Sequence, residues 1–169
     1  MRRGLLGLCL LTLLVAAPSV AAQEDVIVYL VRHAERAEDG TDDPPISKAG
    51  VERAELLAEM LKDAGITHVH STDYKRTHQT GQPFIEASGI EATSYDPRDL
   101  EGFAARLRAT PGRHLVLGHS NTTPQLVSAL GGDPGTPIEE MEYDRLYVVT
   151  LTEEGASTVL IRFGARFEG

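Results

Sequence analysis

Cysteine is almost missing from this chain of 169 residues, and tryptophan is missing altogether. The one cysteine, Cys9, lies within an apolar run, Leu5 to Ala17, that follows Arg2 and Arg3 and is broken by Pro18. A single thiol excludes an intrachain disulfide and a thiolate zinc cluster. No hydrophobic run is long, either: this one has 13 residues, short of the roughly 20 that a membrane-spanning helix needs. A positive start, a short apolar stretch and the small residues of "SVAAQ" form the pattern of a secretory signal peptide, cleaved after Ala21 or Ala22. Residues 1–22 are therefore expected to be removed and residues 23–169 to form a single domain. The protein is expected to be exported, to the periplasm or the extracellular space, with no stable membrane insertion after cleavage. Cys9 leaves with the signal, so a cysteine nucleophile is excluded as well.

Positive charge is also scarce. Lys and Arg number 16 against 25 Asp and Glu, a formal charge of −9 that becomes −11 without Arg2 and Arg3. Such a surface argues against nucleic acid or an anionic membrane as the main partner. An anion site in this protein has to be a local cationic pocket.

What the sequence does have is alternation. "VIVYLV" (26–31) is a continuous apolar run of the kind expected for a strand buried on both faces. "SKAGVERAELLAEMLKDAG" predicts a helix with Val51, Ala54, Leu57, Ala58 and Leu61 on one stripe, Ser47 as N-cap and Gly65 beyond its end. "THVHS", "IEATSY" and "HLVLG" read as further strands. "DYKRTHQTGQPFIEASG" reads as a helix interrupted near Pro83, "LEGFAARLRAT" and "TTPQLVSALGG" as continuous ones. "RLYVVTLT" and "STVLIRFG" predict an antiparallel pair joined by "EEGA". The expected fold is α/β and three-layered, a mainly parallel sheet with helices on both faces and an antiparallel C-terminal strand pair. Ligands of such sheets sit outside the carboxyl ends of the strands. Four clusters fall there: Arg32–His33, Ser71–Arg76, Asp96–Asp99 and Gly118–Asn121.

Those clusters bring together two arginines, two histidines, hydroxyls and carboxylates. Arginine keeps its charge and offers a planar fork that fits phosphate bidentately. Arg32 and Arg76 suit one phosphoryl group gripped from two sides, with Arg76 expected in the first turn of its helix, where free backbone N–H groups favour an anion. A neutral imidazole is a competent nucleophile toward phosphorus, and His33 stands directly beside Arg32. His119 can donate to the phosphoryl oxygens as charge develops there. The arginines supply the neutralising charge that a metal ion supplies elsewhere, so no metal or other cofactor is required.

These residues carry a resemblance. "VRHAE" resembles the R-H-G signature of the histidine phosphatase superfamily (the phosphoglycerate mutase-like family), "STDYKRTHQT" its second arginine motif, and "LVLGHSNT" its second-histidine motif. The three occur in order, from Val26 to about Leu130. The resemblance implies a phosphomonoester hydrolase acting on a small phosphorylated substrate through a phosphohistidine on His33, with Arg32, Arg76 and His119 completing the phosphate pocket. Arg36, Ser71, Ser120 and Asn121 are candidate substrate-binding residues. The chain also departs from the pattern. Ala34 replaces the glycine, and Ser120 stands where branch-two acid phosphatases of the superfamily carry an aspartate. Arg36 matches a further arginine of that branch, without its following proline. The mutase branch has a glutamate beyond the third strand, for which Asp96, Asp99 and Glu101 are loose equivalents. The candidates for the general acid are Asp99 and Glu35.

Other readings compete. Singly, Arg32 is an ordinary salt-bridge residue and His33 an ordinary packed histidine; with Arg76 and His119 in motif context they are a site. His68 and His70 share one face of their strand as an H-x-H pair, but with no third ligand nearby, packing is the expected role. His78 and His114 are expected at the surface or at a strand start. "GHSNT" resembles a nucleophile elbow, yet Thr122 occupies the glycine position. No histidine follows Ser120, so the esterase order cannot be completed. The alternatives left are a mutase-like phosphotransferase and a non-catalytic exported module that binds phosphate or a sugar phosphate.

Overall fold

The computed structural model describes residues 25–169; the expected signal peptide and Cys9 lie outside them. Val26–Arg32 forms β1, which pairs on both edges and buries Val28, Leu30 and Val31 almost completely. Nine further elements follow among the described residues, alternating until the last two: α1 (Lys48–Leu61), β2 (His68–Ser71), α2 (Lys75–Ser88), β3 (Ala92–Ser94), α3 (Leu100–Ala109), β4 (Gly112–Gly118), α4 (Thr122–Ala129), β5 (Arg145–Thr152) and β6 (Gly155–Arg162). The six strands form one sheet in the order β3-β2-β4-β1-β5-β6. The first four are parallel, while β5 runs antiparallel to β1 and β6 antiparallel to β5. The α/β architecture is the one expected, including the antiparallel C-terminal pair.

Each face of the sheet has its own core. Leu57 and Leu61 of α1 and Phe84 of α2 pack with Val31, Val69, Leu115 and Leu117 on one side. Phe103 and Leu107 of α3 and Leu126 of α4 pack with Leu30, Val116 and Tyr147 on the other. Among the described residues no helix is long and apolar enough to cross a membrane.

Local details correct three expectations. Val51 is 42% exposed rather than part of the buried stripe of α1; Gly50 and Arg53 are buried with Ala54, Leu57 and Leu61 instead. The reason is Gly50, whose missing side chain lets the helix lie against the backbone carbonyl of Glu35. Ser47 does cap this helix, accepting from the Gly50 N–H at 3.2 Å. Second, α2 runs through Pro83 without a break. A proline costs a helix roughly 3 kcal/mol, and the buried face of Thr77, Thr80, Gly81 and Phe84 fixes the turns on both sides of it. Third, His114 is completely buried. It stacks on His68 with ring centroids 4.6 Å apart, bonds His70 (Nδ1 to Nε2, 3.0 Å) and meets the Thr110 carbonyl at 3.0 Å through Nε2. A strand-start histidine is thus a core residue, because its neighbours satisfy both ring nitrogens.

Candidate active site

Strand ends build the site. Arg32 is the last residue of β1, paired in register with Gly118, the last of β4. The His33 backbone N–H donates to the Gly118 carbonyl at 2.9 Å, extending the pairing by one residue and fixing the ring beside that of His119. The two imidazoles meet edge to face, centroids 5.5 Å apart. The His33 Nδ1 lies 2.8 Å from the Ala34 carbonyl, which can only accept. The proton therefore sits on Nδ1, and the lone pair is left on Nε2, for which no hydrogen bond is formed among the described residues. Burial, with the charges of Arg32 and Arg76 adding to it, brings the His33 pKa down to about 3. The imidazole is therefore neutral, as a nucleophile must be.

His119 is fixed by its own loop. Its backbone N–H donates to Thr122 Oγ1 at 3.0 Å, and its Nε2 lies 2.9 Å from the Thr72 hydroxyl at the end of β2. Thr77 donates to the Thr72 carbonyl at 2.9 Å and its oxygen lies 3.1 Å from the Thr72 hydroxyl, so α2 and the β2 end hold one another. Burial, and then Arg76 and Arg32, lower the His119 pKa to about 4.

Arg32 is treated differently from the other buried arginines. Arg53 is matched to Glu35, and Arg145 to Glu142. Arg32, only 6% exposed, has no carboxylate partner among the described residues. Its Nη1 donates to the carbonyls of Glu139 and Glu142, both at 2.9 Å, and its guanidinium lies 4.1 Å from the centre of the Tyr143 ring. Arg76, in the first turn of α2, lies 4.4 Å from the Tyr74 ring centre and 3.4 Å from Asp43. The Nε–H of each is buried with no acceptor. A buried donor left unpaired costs roughly 1–3 kcal/mol. Two such donors, on two cations near two neutral imidazoles, form a cradle chemically suited to a small oxyanion.

Comparison with known sequences agrees. A family model described as the histidine phosphatase superfamily (branch 1) matches residues 28–101. "Probable phosphoglycerate mutase GpmB" of Yersinia pestis (strain Pestoides F) is 39% identical over 121 residues, 68% of this chain and 54% of that protein. The chain belongs to the histidine phosphatase superfamily. It spans about half the length of the curated relatives it matches. Solved structures share the fold at lower identity. The protein histidine phosphatase SixA complexed with tungstate superposes with a TM-score of 0.65 at 20% identity, covering 80% of this chain and 96% of SixA. The alpha-ribazole phosphatase of Shigella flexneri gives 0.67 at 14% identity, covering 83% of this chain and all of that one.

Not every candidate in this histidine phosphatase relative reaches the cradle. Ser71 is fully buried and its hydroxyl donates to the Thr72 carbonyl at 3.0 Å; its neighbour Thr72 is the residue that touches His119. Arg36 lies at the surface, 2.7 Å from Glu140. Ser120 and Asn121 line a shallow depression with Pro124 and Ile138, one that includes neither histidine of the cradle. The acid candidates are both engaged elsewhere. Both oxygens of Glu35 accept from Arg53 Nε at 3.0 Å, because Arg53 is buried and needs a counter-charge. Asp99 is the N-cap of α3, accepting from the Gly102 N–H at 3.0 Å. Asp43 was not singled out by the sequence. It is the carboxylate that reaches a cradle arginine, and it also accepts from the Lys75 N–H at the start of α2. Tyr74, Thr72 and Tyr143 were missed too; Tyr74 and Thr72 lie inside the quoted "STDYKRTHQT", whereas Tyr143 has no motif around it.

Proposed function

We propose that this protein hydrolyses phosphomonoesters through a phosphohistidine formed on His33, without a metal ion. The observation that carries the reading is the pair of buried Nε–H donors on Arg32 and Arg76, unpaired on either side of a neutral His33. In the first step the His33 Nε2 lone pair bonds to phosphorus and the ester P–O bond breaks, its electrons leaving with the alcohol oxygen. The arginines hold the non-bridging oxygens, and their charge opposes the negative charge of the transition state. His119 donates from Nδ1 when the Thr72 hydroxyl donates to its Nε2. In the second step water attacks the phosphohistidine, the N–P bond breaks, inorganic phosphate forms, and His33 returns to its starting tautomer. Hydrolysis is preferred over return of the phosphoryl group to substrate because the cradle borders solvent: Tyr74, in contact with both Arg76 and His119, is 38% exposed.

The leaving group narrows the substrate. Among the described residues no carboxylate hydrogen-bonds His33 or His119. Leaving groups that need no proton from the protein are therefore favoured over alkoxides: aryl oxygens, which depart as weakly basic anions, and the nitrogen of a phosphoramidate that is already protonated in solution and departs as a neutral amine. The test is a panel of p-nitrophenyl phosphate, alkyl phosphates and a phosphoramidate, each with and without EDTA. Release of inorganic phosphate that persists in EDTA, falls steeply with leaving-group basicity and vanishes in His33→Ala is the expected result. Loss of activity on chelation would replace this reading with a metal enzyme. Phosphoryl transfer to a second substrate without phosphate release would replace it with a mutase, and binding of phosphate without acid-labile labelling of His33 would replace it with a binding module.

A further inference from the structure

Arg32 is held by one short turn, and that turn is folded around a carboxylate the chemistry never touches. Residues 139–143 supply both carbonyls that accept from Arg32 Nη1 and the Tyr143 ring beneath its guanidinium. Nothing on Arg32's own strand fixes its side chain in this way. What fixes the turn is Glu142, only 2% exposed. One carboxylate oxygen accepts from the Glu139 N–H at 3.0 Å, closing the turn from within, while the Glu142 N–H donates to the Glu139 carbonyl at 3.0 Å. Arg145 bonds both carboxylate oxygens, at 2.6 and 2.9 Å, and Arg162 of β6 adds a third contact at 2.5 Å. Arg162 also reaches Asp144 at 2.6 Å. Two arginines and two carboxylates thus close a neutral set at the start of β5.

We propose that Glu142 is a positioning residue for phosphate binding: the buried Glu142–Arg145–Arg162 set locks the 139–143 turn, and the turn aims Arg32. This rests on the reading of Arg32 as a phosphate ligand. The neutrality of the set matters. All the charge of Glu142 is taken up by Arg145 and Arg162, so the turn offers Arg32 only carbonyl dipoles and an aromatic face, and the Arg32 charge stays available to an anion. A carboxylate placed directly on Arg32 would hold it as firmly but would neutralise it. Burial already tends to lower the Arg32 pKa, and a rigid frame of carbonyls stabilises its charged form without competing for the ligand. Preorganisation of this kind affects affinity for the oxyanion more than the chemistry that follows.

The experiment compares Glu142→Gln with Asp144→Asn. Asp144 belongs to the same ionic set, is as deeply buried, and contributes no contact to Arg32, so it reports the structural cost of disturbing the set. Binding of inorganic phosphate is measured by calorimetry. Glu142→Gln is expected to weaken it roughly 10- to 100-fold, the effect of misplacing one charge-assisted bond, with KM rising more than kcat falls. Asp144→Asn is expected to lower thermal stability yet leave phosphate affinity within about twofold. Equal effects of the two variants, or unchanged affinity in Glu142→Gln, would overturn the proposal. Arg162→Gln, at a half-exposed position, serves if Glu142→Gln does not fold; affinity weakened a few-fold supports the proposal and unchanged affinity refutes it. A second readout is independent of function. The Arg32 Nε–Hε resonance, assigned by its loss in Arg32→Lys, is expected to be sharp in the unsubstituted protein and in Asp144→Asn and broadened in Glu142→Gln. Should the protein bind no phosphate, the phosphatase reading fails, and this resonance still decides whether Glu142 positions Arg32.

Discussion

Keeping His33 neutral has a consequence for the whole protein in acid. His33 titrates at about 3, and His70 and His119 each at about 4, all depressed first by burial. Burial lowers His114 as well. In the unfolded chain each histidine titrates near 6.5. As pH falls below that value the unfolded state takes up protons that the folded state refuses, so stability is complete above about 6.5 and is lost progressively toward the folded pKa values. Each such histidine contributes a slope of about 1.4 kcal/mol per pH unit in that window. His33 is 4% exposed and counts fully, whereas His70 and His119 are half-buried and count for less. The set gives about 3 kcal/mol per pH unit near pH 5, and a loss of roughly 4–6 kcal/mol between pH 7.5 and 5.0. Against a typical 5–15 kcal/mol for a domain, that is enough to bring unfolding into view near pH 5. Urea denaturation followed by circular dichroism at pH 7.5, 6.5, 5.5 and 5.0 measures it. His70→Gln tests the cause, since the amide can still donate to His114 but cannot titrate; the slope below pH 6.5 should fall by about 1 kcal/mol per pH unit. Stability that is flat from pH 7.5 to 5.0, or a slope untouched by His70→Gln, would show that these rings are not excluded from protonation by the fold.

Three further outcomes follow from contacts around the cradle. Arg32→Lys replaces a planar fork held at two carbonyls by a point charge, and kcat/KM for p-nitrophenyl phosphate should fall about 100-fold with the fold intact by circular dichroism. Glu35→Gln should lose about 1–3 kcal/mol in urea titrations, because Arg53 is left buried without its counter-charge, while kcat changes less than about threefold; a large loss of kcat would return Glu35 to the role of general acid. Gly50→Ala sets a methyl group against the Glu35 backbone carbonyl, which cannot rotate away, and should cost about 2 kcal/mol or more by thermal denaturation.

The fold, and the placement of Arg32, His33, Arg76 and His119 at one sheet edge, could be read from the sequence for one reason: each depends on local order along the chain. Continuous apolar strands followed by polar clusters mark the carboxyl edge of a parallel sheet, and Arg32, His33, Arg76 and His119 sit on that edge. What could not be read depends on which distant segments meet. Glu35 follows His33 by two positions and looks like an acid, until Arg53 from α1 arrives to take it. Asp99 lies beyond the third strand, where an acid was sought, and is spent on capping α3. Tyr143 and the Glu139 and Glu142 carbonyls come from more than 100 residues away and carry no motif, because a backbone carbonyl can be supplied by any residue type. His114 looked like a strand-start residue because its partners, His70 and Thr110, lie on a neighbouring strand and a preceding turn.

The acidic composition makes sense once the arginines are sorted by partner. A protein with 25 acidic residues has carboxylates to spare for its buried cations, and Arg53 and Arg145 each receive one. Arg32 receives carbonyls and a ring instead, while Arg76 receives a ring and an ion pair with the part-exposed Asp43 at 3.4 Å. Carbonyl dipoles and aromatic faces stabilise a guanidinium without cancelling its charge. The selectivity therefore lies in the type of partner rather than in a surplus of basic residues. Burial does most to keep His33 and His119 unprotonated, and the charges of Arg32 and Arg76 add to it; in the proposed reaction the same two guanidinium groups would hold the phosphate.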